Sequence, residues 1–127
     1  MNNKRLGNSF EQKVCDILAN DGWWVHFISP DARGAQPFDI IATKDNVPMA
    51  IDCKTCDDHI FRISRLEDNQ IYAFLRWKSA GNDFAYLMVL HKEKIYAVPY
   101  WLLKELGKVD LRKMEVFRNG ILLSGDE

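Results

Sequence analysis

Apolar residues at helical spacing alternate along the chain with short β-branched and aromatic runs. In "SFEQKVCDILANDGW" the apolar positions recur every three or four residues from Phe10 to Leu18, which predicts a helix. Asn8 or Ser9 is the expected N-cap, and Gly22 follows the expected end. "LEDNQIYAFLRWKSAG" and "YWLLKELG" predict a second and a third helix.

Five other segments have the composition of β-strands. They are "WWVHFI", "PFDIIAT", "VPMAIDCK", "FAYLMVL" and "KIYAVPY", with the turn-rich loop "SPDARGAQ" after the first. The predicted order is α-β-β-β-α-β-β-α, an α/β fold with a mixed central β-sheet flanked by helices. The length suits one hydrophobic core, so residues 1–127 are expected to form a single domain.

The register of the second and third strands follows from the turn between them. If Asp45 and Asn46 form a two-residue hairpin turn, Lys44 pairs with Val47 and paired residue numbers sum to 91. Asp39 and Asp52 then face each other at a non-hydrogen-bonded position, with Cβ atoms roughly 5 Å apart. Lys54, two residues after Asp52, lies on the same face of its strand. A three-residue turn would shift this pairing by one.

Two facing carboxylates repel each other and require a compensating positive charge. Lys54 can supply part of that charge. A hard divalent cation such as Mg²⁺ can supply more, because it favours one or two carboxylates with water and phosphate oxygens in the remaining positions. The alternative is that Asp39 is a solvated strand residue and that Asp52 and Lys54 form a surface pair. The apolar neighbours in "FDIIA" and "MAIDC" favour the site instead.

The same segment also contains a C-x-x-C motif, Cys53 to Cys56. A redox motif of this kind usually opens a helix, whereas here a strand precedes it. A structural zinc site needs about four ligands, and Cys15 is the remaining cysteine of the chain, far upstream. We therefore expect structural thiols, with Cys53 directed away from Asp52 and Lys54 into the core.

Charge and hydropathy set limits on location and partners. The net charge is −1, so DNA binding would depend on local basic patches rather than on the whole chain. No segment approaches the roughly 20 apolar residues of a membrane span, and the N-terminus lacks the apolar stretch of a signal peptide. Together with the odd cysteine count, this leads us to expect a cytoplasmic protein without membrane contact.

Several of these motifs together resemble a known family. Pro37-Phe38-Asp39 followed by Asp52-Cys53-Lys54 resembles the PD-(D/E)XK nuclease signature. "RLGNSFE" is similar to the Arg-x-Gly-x-x-x-Glu opening of archaeal-type Holliday-junction resolvases, and "AYLMVLHKEKIYAVPY" also resembles the resolvases of Gram-positive bacteria. Two departures are the phenylalanine between Pro37 and Asp39, and Asp52 where glutamate is commoner. The resemblance covers residues 5 to about 100 and implies a restriction-endonuclease-like fold.

The resemblance also implies a catalytic site. Asp39 and Asp52 would hold Mg²⁺, for which Mn²⁺ could substitute, with the main-chain carbonyl of Cys53 as a third ligand. Lys54 would position the attacking water and stabilise the transition state. Glu11 would complete the metal shell directly or through water, and Gln70 would orient Lys54 or contact the phosphate. For Glu11 and Gln70 the alternative is a solvated helix residue.

The implied activity is hydrolysis of DNA phosphodiester bonds, most readily at a Holliday junction, by a homodimer. Lys4, Arg5 and Arg33 are the expected phosphate contacts, and apolar residues of "YAFLRW" and "YWLL" are candidates for the dimer contact. Two other functions remain open: a nicking, repair or restriction-type nuclease of the same fold, and a non-catalytic DNA-binding domain. Retention of both acids and the lysine disfavours the second.

Overall fold

The computed structural model describes residues 3–28 and 37–118, with side chains from residue 9 onward. Its helices in these ranges are α1 (Asn3–Asn20), α2 (Asp68–Ser79) and α3 (Tyr100–Leu106), with short 3-10 helices at Ile63–Arg65 and Leu111–Lys113. The strands are β1 (Trp24–Phe27), β2 (Ile40–Lys44), β3 (Val47–Thr55), β4 (Ile60–Arg62), β5 (Phe84–His91), β6 (Lys94–Pro99), β7 (Lys108–Asp110) and β8 (Glu115–Val116). None of the described helices has the length and apolar character needed to cross a membrane.

Six of the strands form one mixed sheet in the order β1-β2-β3-β5-β6-β8. Strand β3 pairs with β5 in parallel, while its other neighbour β2 and the remaining ladders are antiparallel. A parallel pair needs a crossover connection, and α2 lies in the connection between β3 and β5. The predicted α/β class and the order of the main elements are thus confirmed.

The hairpin between β2 and β3 has the predicted register. Lys44 pairs with Val47 and Ile40 with Ile51, so the paired numbers sum to 91. Asp45 and Asn46 both have positive φ, 53° and 68°, as a two-residue turn that follows the strand twist requires. The start of β2 therefore lies beside Ile51, in the middle of β3.

Each face of the sheet has its own hydrophobic core. Helix α1 packs on one face through buried residues that include Val14 and Leu18, against Met49 and Ile51 of β3. Helices α2 and α3 cover the other face, where Phe74 and Tyr100 stack with ring centroids 4.3 Å apart. Because β3 is covered on both sides, an ionisable residue in its middle is shielded from water.

Two features differ from the prediction. Asn8 and Ser9 were expected to cap α1, but the helix already includes Asn3, so both lie inside it. Asn and Ser cost only a fraction of a kcal/mol inside a helix, and Leu6 continues the apolar spacing upstream of Phe10. The short strands β4, β7 and β8 were not predicted, because runs of two or three residues form through distant partners, β4 with β7 and β8 with β6.

Candidate active site

Asp39 and Asp52 meet where the start of β2 lies beside the middle of β3. The regular ladder ends one pair before them, at Ile40 and Ile51. The backbone N–H of Asp39 donates to Asp52 Oδ1 at 3.2 Å, and it also donates to the carbonyl of Ile51 at 3.1 Å. The backbone N–H of Cys53 donates to Asp39 Oδ2 at 2.8 Å. The two carboxylates are therefore brought together and held by backbone groups of both strands.

Asp52 is an acid enclosed by the core, with 1% of its surface exposed. Burial raises the pKa of Asp52 from 3.8 to about 7, and the negative charge of Asp39 adds to this. Lys54 and the backbone N–H of Asp39 act in the opposite direction on the pKa of Asp52. Among the described residues, Asp52 Oδ2 is a buried oxygen without a hydrogen-bond partner. The site thus stabilises the ionised form of Asp52 only in part.

Glu11 of α1 belongs to the same electrostatic group. Burial raises the pKa of Glu11 from 4.5 to about 7, with a further contribution from the charge of Asp39. Glu11 in turn raises the pKa of Asp52. The structure therefore places the helix acid close enough to both aspartates to interact with them electrostatically.

Lys54 is held by the helix that follows it in the chain. Its Nζ donates to Gln70 Oε1 at 3.1 Å, and the same oxygen accepts the backbone N–H of Glu67 at 3.0 Å. Glu67 is the N-cap of α2, and its side chain accepts the backbone N–H of Gln70 in a reciprocal capping box. Gln70 thus connects the start of α2 to the lysine, one of the two contacts considered for it from the sequence.

The two cysteines of the C-x-x-C motif pack in the cores on opposite faces of the sheet. Cys53 packs against the core on the α1 face, whereas Cys56 is buried in the core on the opposite face. Burial raises the pKa of the Cys53 thiol well above its usual value, so this sulfur is a poor metal ligand or nucleophile. Cys56 Sγ donates to the carbonyl of Asp58 at 3.0 Å. The expected orientation of Cys53 into the core is confirmed.

The residues at the acid pair fit a hard divalent cation. The raised pKa of Asp52 beside a second carboxylate, and its buried oxygen without a partner among the described residues, favour a positive charge at this position. Within residues 3–28 and 37–118 there is no group of three or more His, Cys, Asp or Glu side chains arranged to hold a metal ion. A cation at Asp39 and Asp52 would need backbone or water oxygens, or a further side chain, to complete its coordination.

The side chains of the predicted DNA contacts lie outside the described part of the chain. Arg33 and the loop "SPDARGAQ" fall in residues 29–36, outside the described residues, and the side chains of Lys4 and Arg5 are also outside them. One basic residue near the site was missed by sequence reasoning. Arg65 donates to the carbonyl of Thr55, the residue after Lys54, at 2.8 Å. No local pattern indicated this contact, because it depends on the position of a 3-10 helix relative to the end of β3.

The mixed sheet and its charged end correspond to a known class of fold. The structure of a Holliday junction resolvase, Hjc of Archaeoglobus fulgidus, is similar with a TM-score of 0.64 and 20% identity, over 82% of this chain and 88% of that one. A bacterial homing endonuclease is similar with a TM-score of 0.53 and 15% identity, over 86% of this chain and 75% of that one. The fold is thus the restriction-endonuclease-like fold, as the motifs implied.

Sequence comparison narrows the class to a family. The family model described as archaeal Holliday junction resolvase (Hjc) matches residues 2–121. The chain therefore belongs to the archaeal Holliday junction resolvase family. It is also 30% identical over 74 residues to the crossover junction endodeoxyribonuclease Hje of Sulfolobus acidocaldarius. That match covers 58% of this chain and 53% of the relative, so it spans about half the relative's length.

Proposed function

We propose that this chain is a metal-dependent endodeoxyribonuclease that cuts four-way DNA junctions. The observation that carries the proposal is the contact between Asp39 and the buried Asp52, with Lys54 following on the same strand face, in a chain of this family. In this proposal Asp39 and Asp52 would hold Mg²⁺ or Mn²⁺, with the carbonyl of Cys53 and with Glu11 directly or through water. When bound, such an ion lowers the pKa of a coordinated water and balances the charge of the phosphate.

The other residues act on the water and the phosphate. Lys54 donates hydrogen bonds to the attacking water and places a positive charge where negative charge develops on the phosphate. Gln70 Oε1 accepts from Lys54 Nζ and so fixes the direction of this flexible side chain. The backbone N–H of Cys53 holds the carboxylate of Asp39 in place. These contacts pre-organise the site, so less reorganisation is needed during the reaction.

We further propose that two copies act on one junction. A four-way junction presents paired strands to be cut, and the proposed site occurs once in the described part of the chain, so a two-fold homodimer is the simplest closed assembly. Tyr72 and Leu75 of α2, in "YAFLRW", are 60% and 40% exposed and are suited to such a contact. In "YWLL", by contrast, Tyr100 and Leu103 are fully buried in the core and are excluded from that role. Lys4, Arg5 and Arg33 remain proposed phosphate contacts.

Cleavage of a panel of DNA structures tests the activity. Synthetic four-way junctions, linear duplex, single strands and flapped DNA of matched sequence are incubated with the protein in Mg²⁺ or in EDTA. We expect paired cuts in the four-way junction only with the metal. Preferred cleavage of linear or flapped DNA would instead assign a nicking, repair or restriction-type nuclease, and binding without cleavage would assign a non-catalytic domain.

The acid variants are the matched controls for that panel. Asp39→Asn and Asp52→Asn keep side-chain volume but remove one charge each. Cleavage should fall by at least about 100-fold in each, because a bound metal supplies several kcal/mol to the transition state. Cleavage that persists in either variant, or in wild type with EDTA, would contradict the proposed metal site.

A further inference from the structure

The end of the sheet that bears the acid pair also bears a group of cations outside the site. Strands β3 and β5 run in parallel, so the end of β3 and the turn between β5 and β6 lie at the same end of the sheet. Lys94 begins β6 at this turn. Strand β8 runs antiparallel to β6, and Phe117 bonds through its N–H to the carbonyl of Ile95, which brings Arg118 to the same end.

A shallow cleft joins these residues to α1. Lys13, Lys94 and Arg118 line it together with Glu93, the acid of the same turn. The three cationic residues are exposed, and within the described part of the chain they have no ion pair or side-chain hydrogen bond. We call Lys13, Lys94 and Arg118 the basic cleft. Its cations outnumber its acid three to one.

The opposite end of the sheet is arranged differently. Lys44, beside the β2–β3 turn, pairs with Asp21 at 3.6 Å, and Lys78 pairs with Asp83, just before β5, at 3.1 Å. Lysines there are compensated by neighbouring acids. The three cations of the basic cleft have no such acid partner among the described residues, so they can attract an anion that is not part of the chain. The net charge of the whole chain is only −1.

The spacing of the strands relates the basic cleft to the acid pair. Adjacent strands lie about 4.8 Å apart, and β6 and β8 are two and three strands from β3. Asp52 is level with Leu87 of β5, whereas Lys94 pairs with His91, four residues further on, so the cations are also displaced by about 13 Å along the strands. Their backbones are therefore about 16 to 20 Å from that of Asp52, which corresponds to about five to six base steps of duplex DNA at 3.4 Å each. This is the distance at which the backbone of one DNA arm, cut at the acid pair, continues past the site.

Cations beside an edge strand can also have a different role. They discourage a second sheet from pairing with the edge, and β8 is the edge strand here. That role does not account for Lys13, which belongs to α1 and contributes to the same cleft. A shared anionic ligand accounts for all three residues.

We infer that the basic cleft binds the phosphate backbone of a DNA arm several base pairs from the scissile bond. This inference rests on the proposed DNA substrate and assigns it a second contact area. Contacts of this kind act on phosphates without regard to sequence. They weaken as the salt concentration rises, because binding releases counterions from the DNA.

The salt dependence of DNA binding tests the inference. The variant Lys13→Gln/Lys94→Gln/Arg118→Gln is compared with the control Lys44→Gln/Lys78→Gln/Lys104→Gln. Both lower the formal net charge from −1 to −4, since each removes three positive charges. Junction binding is measured in EDTA at several salt concentrations, and thermal melting checks that both variants are folded.

We expect the slope of log K against log salt to become less steep by about 2 to 3 for the cleft variant, since each lost phosphate contact changes it by about 0.9. Kd should rise about tenfold or more at physiological salt, with the cleavage rate at saturating DNA close to wild type. Lys94→Gln alone, in the exposed turn, should change the slope by about 0.9 and serves if the triple variant unfolds. Equal slopes in the cleft and control variants would overturn the inference while leaving the proposed function intact. Failure of wild type to bind any DNA would overturn both.

Discussion

Asp52 lowers the stability of the fold whenever it is ionised without a cation. Its carboxylate is buried beside Asp39, and one of its oxygens has no partner among the described residues. A buried charge of this kind is costly unless it is paired or neutralised. Such a residue is more consistent with a functional site than with a structural one.

The stability of the metal-free protein should therefore fall as pH rises. The pKa of Asp52 is raised from 3.8 to about 7 in the folded state, so between these values the folded state holds a proton that the unfolded state has lost. Stability is highest below about pH 4 for this group and decreases up to about pH 7, above which the full cost is present. Thermal melting in EDTA should show this decrease, and Mg²⁺ at pH 8 should raise Tm by at least about 5 °C.

Asp52→Asn is the control for that measurement. It should have a weaker decrease of Tm with pH than wild type and little response to Mg²⁺. A wild-type Tm that rises between pH 4 and 7, after subtraction of the variant, would contradict the raised pKa of Asp52. Glu11, whose pKa is also raised to about 7, contributes with the same sign.

Lys54 should affect the rate of cleavage rather than DNA affinity. Its ammonium group is held beside the acid pair by Gln70, where it faces the developing charge of the phosphate in the proposed mechanism. Lys54→Ala should lower the single-turnover rate about 100-fold or more, as loss of one transition-state donor does. Kd measured in EDTA should change less than about threefold, as expected for loss of a contact made only in the transition state.

Lys44→Ala is the comparison for this lysine, because Lys44 lies at the opposite end of the sheet in an ion pair with Asp21. It should leave the rate unchanged. Loss of affinity in Lys54→Ala equal to its loss of rate would make Lys54 a phosphate anchor instead.

The first turn of helix α2 both stabilises the helix and positions Lys54 in the site. Glu67 and Gln70 form the two halves of its capping box, but only Gln70 also contacts Lys54. The E-x-x-Q spacing is visible in the sequence, whereas the contact with Lys54 depends on how α2 packs on the sheet. The pair of residues therefore allows the two roles to be separated.

Glu67→Ala and Gln70→Ala should lower stability by similar amounts, about 1 kcal/mol each, because each removes one capping hydrogen bond. Only Gln70→Ala should also lower the cleavage rate, by about tenfold, since Lys54 loses its partner. Denaturant unfolding and single-turnover cleavage measure the two effects. Equal rates in the two variants would show that Gln70 is only a capping residue.

The hairpin register shows how much of the site the sequence could predict. Asp45-Asn46 is a strong turn signal, and two-residue turns have one pairing, so the approach of Asp39 to Asp52 followed from counting along the strands. The count could not show that the ladder ends before the acids, or that backbone N–H groups bind their carboxylates. The start of α1, the short strands and the basic cleft were also not predictable, because each depends on weak local preferences or on contacts between distant segments.

The molecule as a whole has two unlike ends. The acid pair and the basic cleft lie at one end of the sheet, whereas Lys44 and Lys78 at the other end are paired with acids. This separation gives a chain of nearly zero net charge a surface suited to DNA. In the proposed complex, the end that bears the acid pair and the basic cleft faces the phosphate backbone.

Assembly is the property of the whole molecule on which the proposed junction activity depends. Tyr72 and Leu75 lie on the exposed side of α2, the same helix that directs Gln70 to the site. A two-fold contact across α2 would bury these residues and place two acid pairs in one particle. A stable dimer needs about 800 Å² buried on each partner, more than two side chains provide, so neighbouring residues of α2 must take part.

Sedimentation of wild type and of Tyr72→Glu/Leu75→Glu tests this contact. Wild type should be a dimer at micromolar concentration, and the double variant should be a monomer, because two charges would be buried against each other across the contact. On a four-way junction, wild type should cut both strands within one binding event, whereas the variant should release nicked intermediates. Leu106→Glu is the control, since Leu106 is an equally apolar residue, 57% exposed at the end of α3, and its change should leave the dimer intact. A wild-type protein that stays monomeric even on junction DNA would rule out paired cutting by a dimer and favour a nicking or repair nuclease built on the same fold.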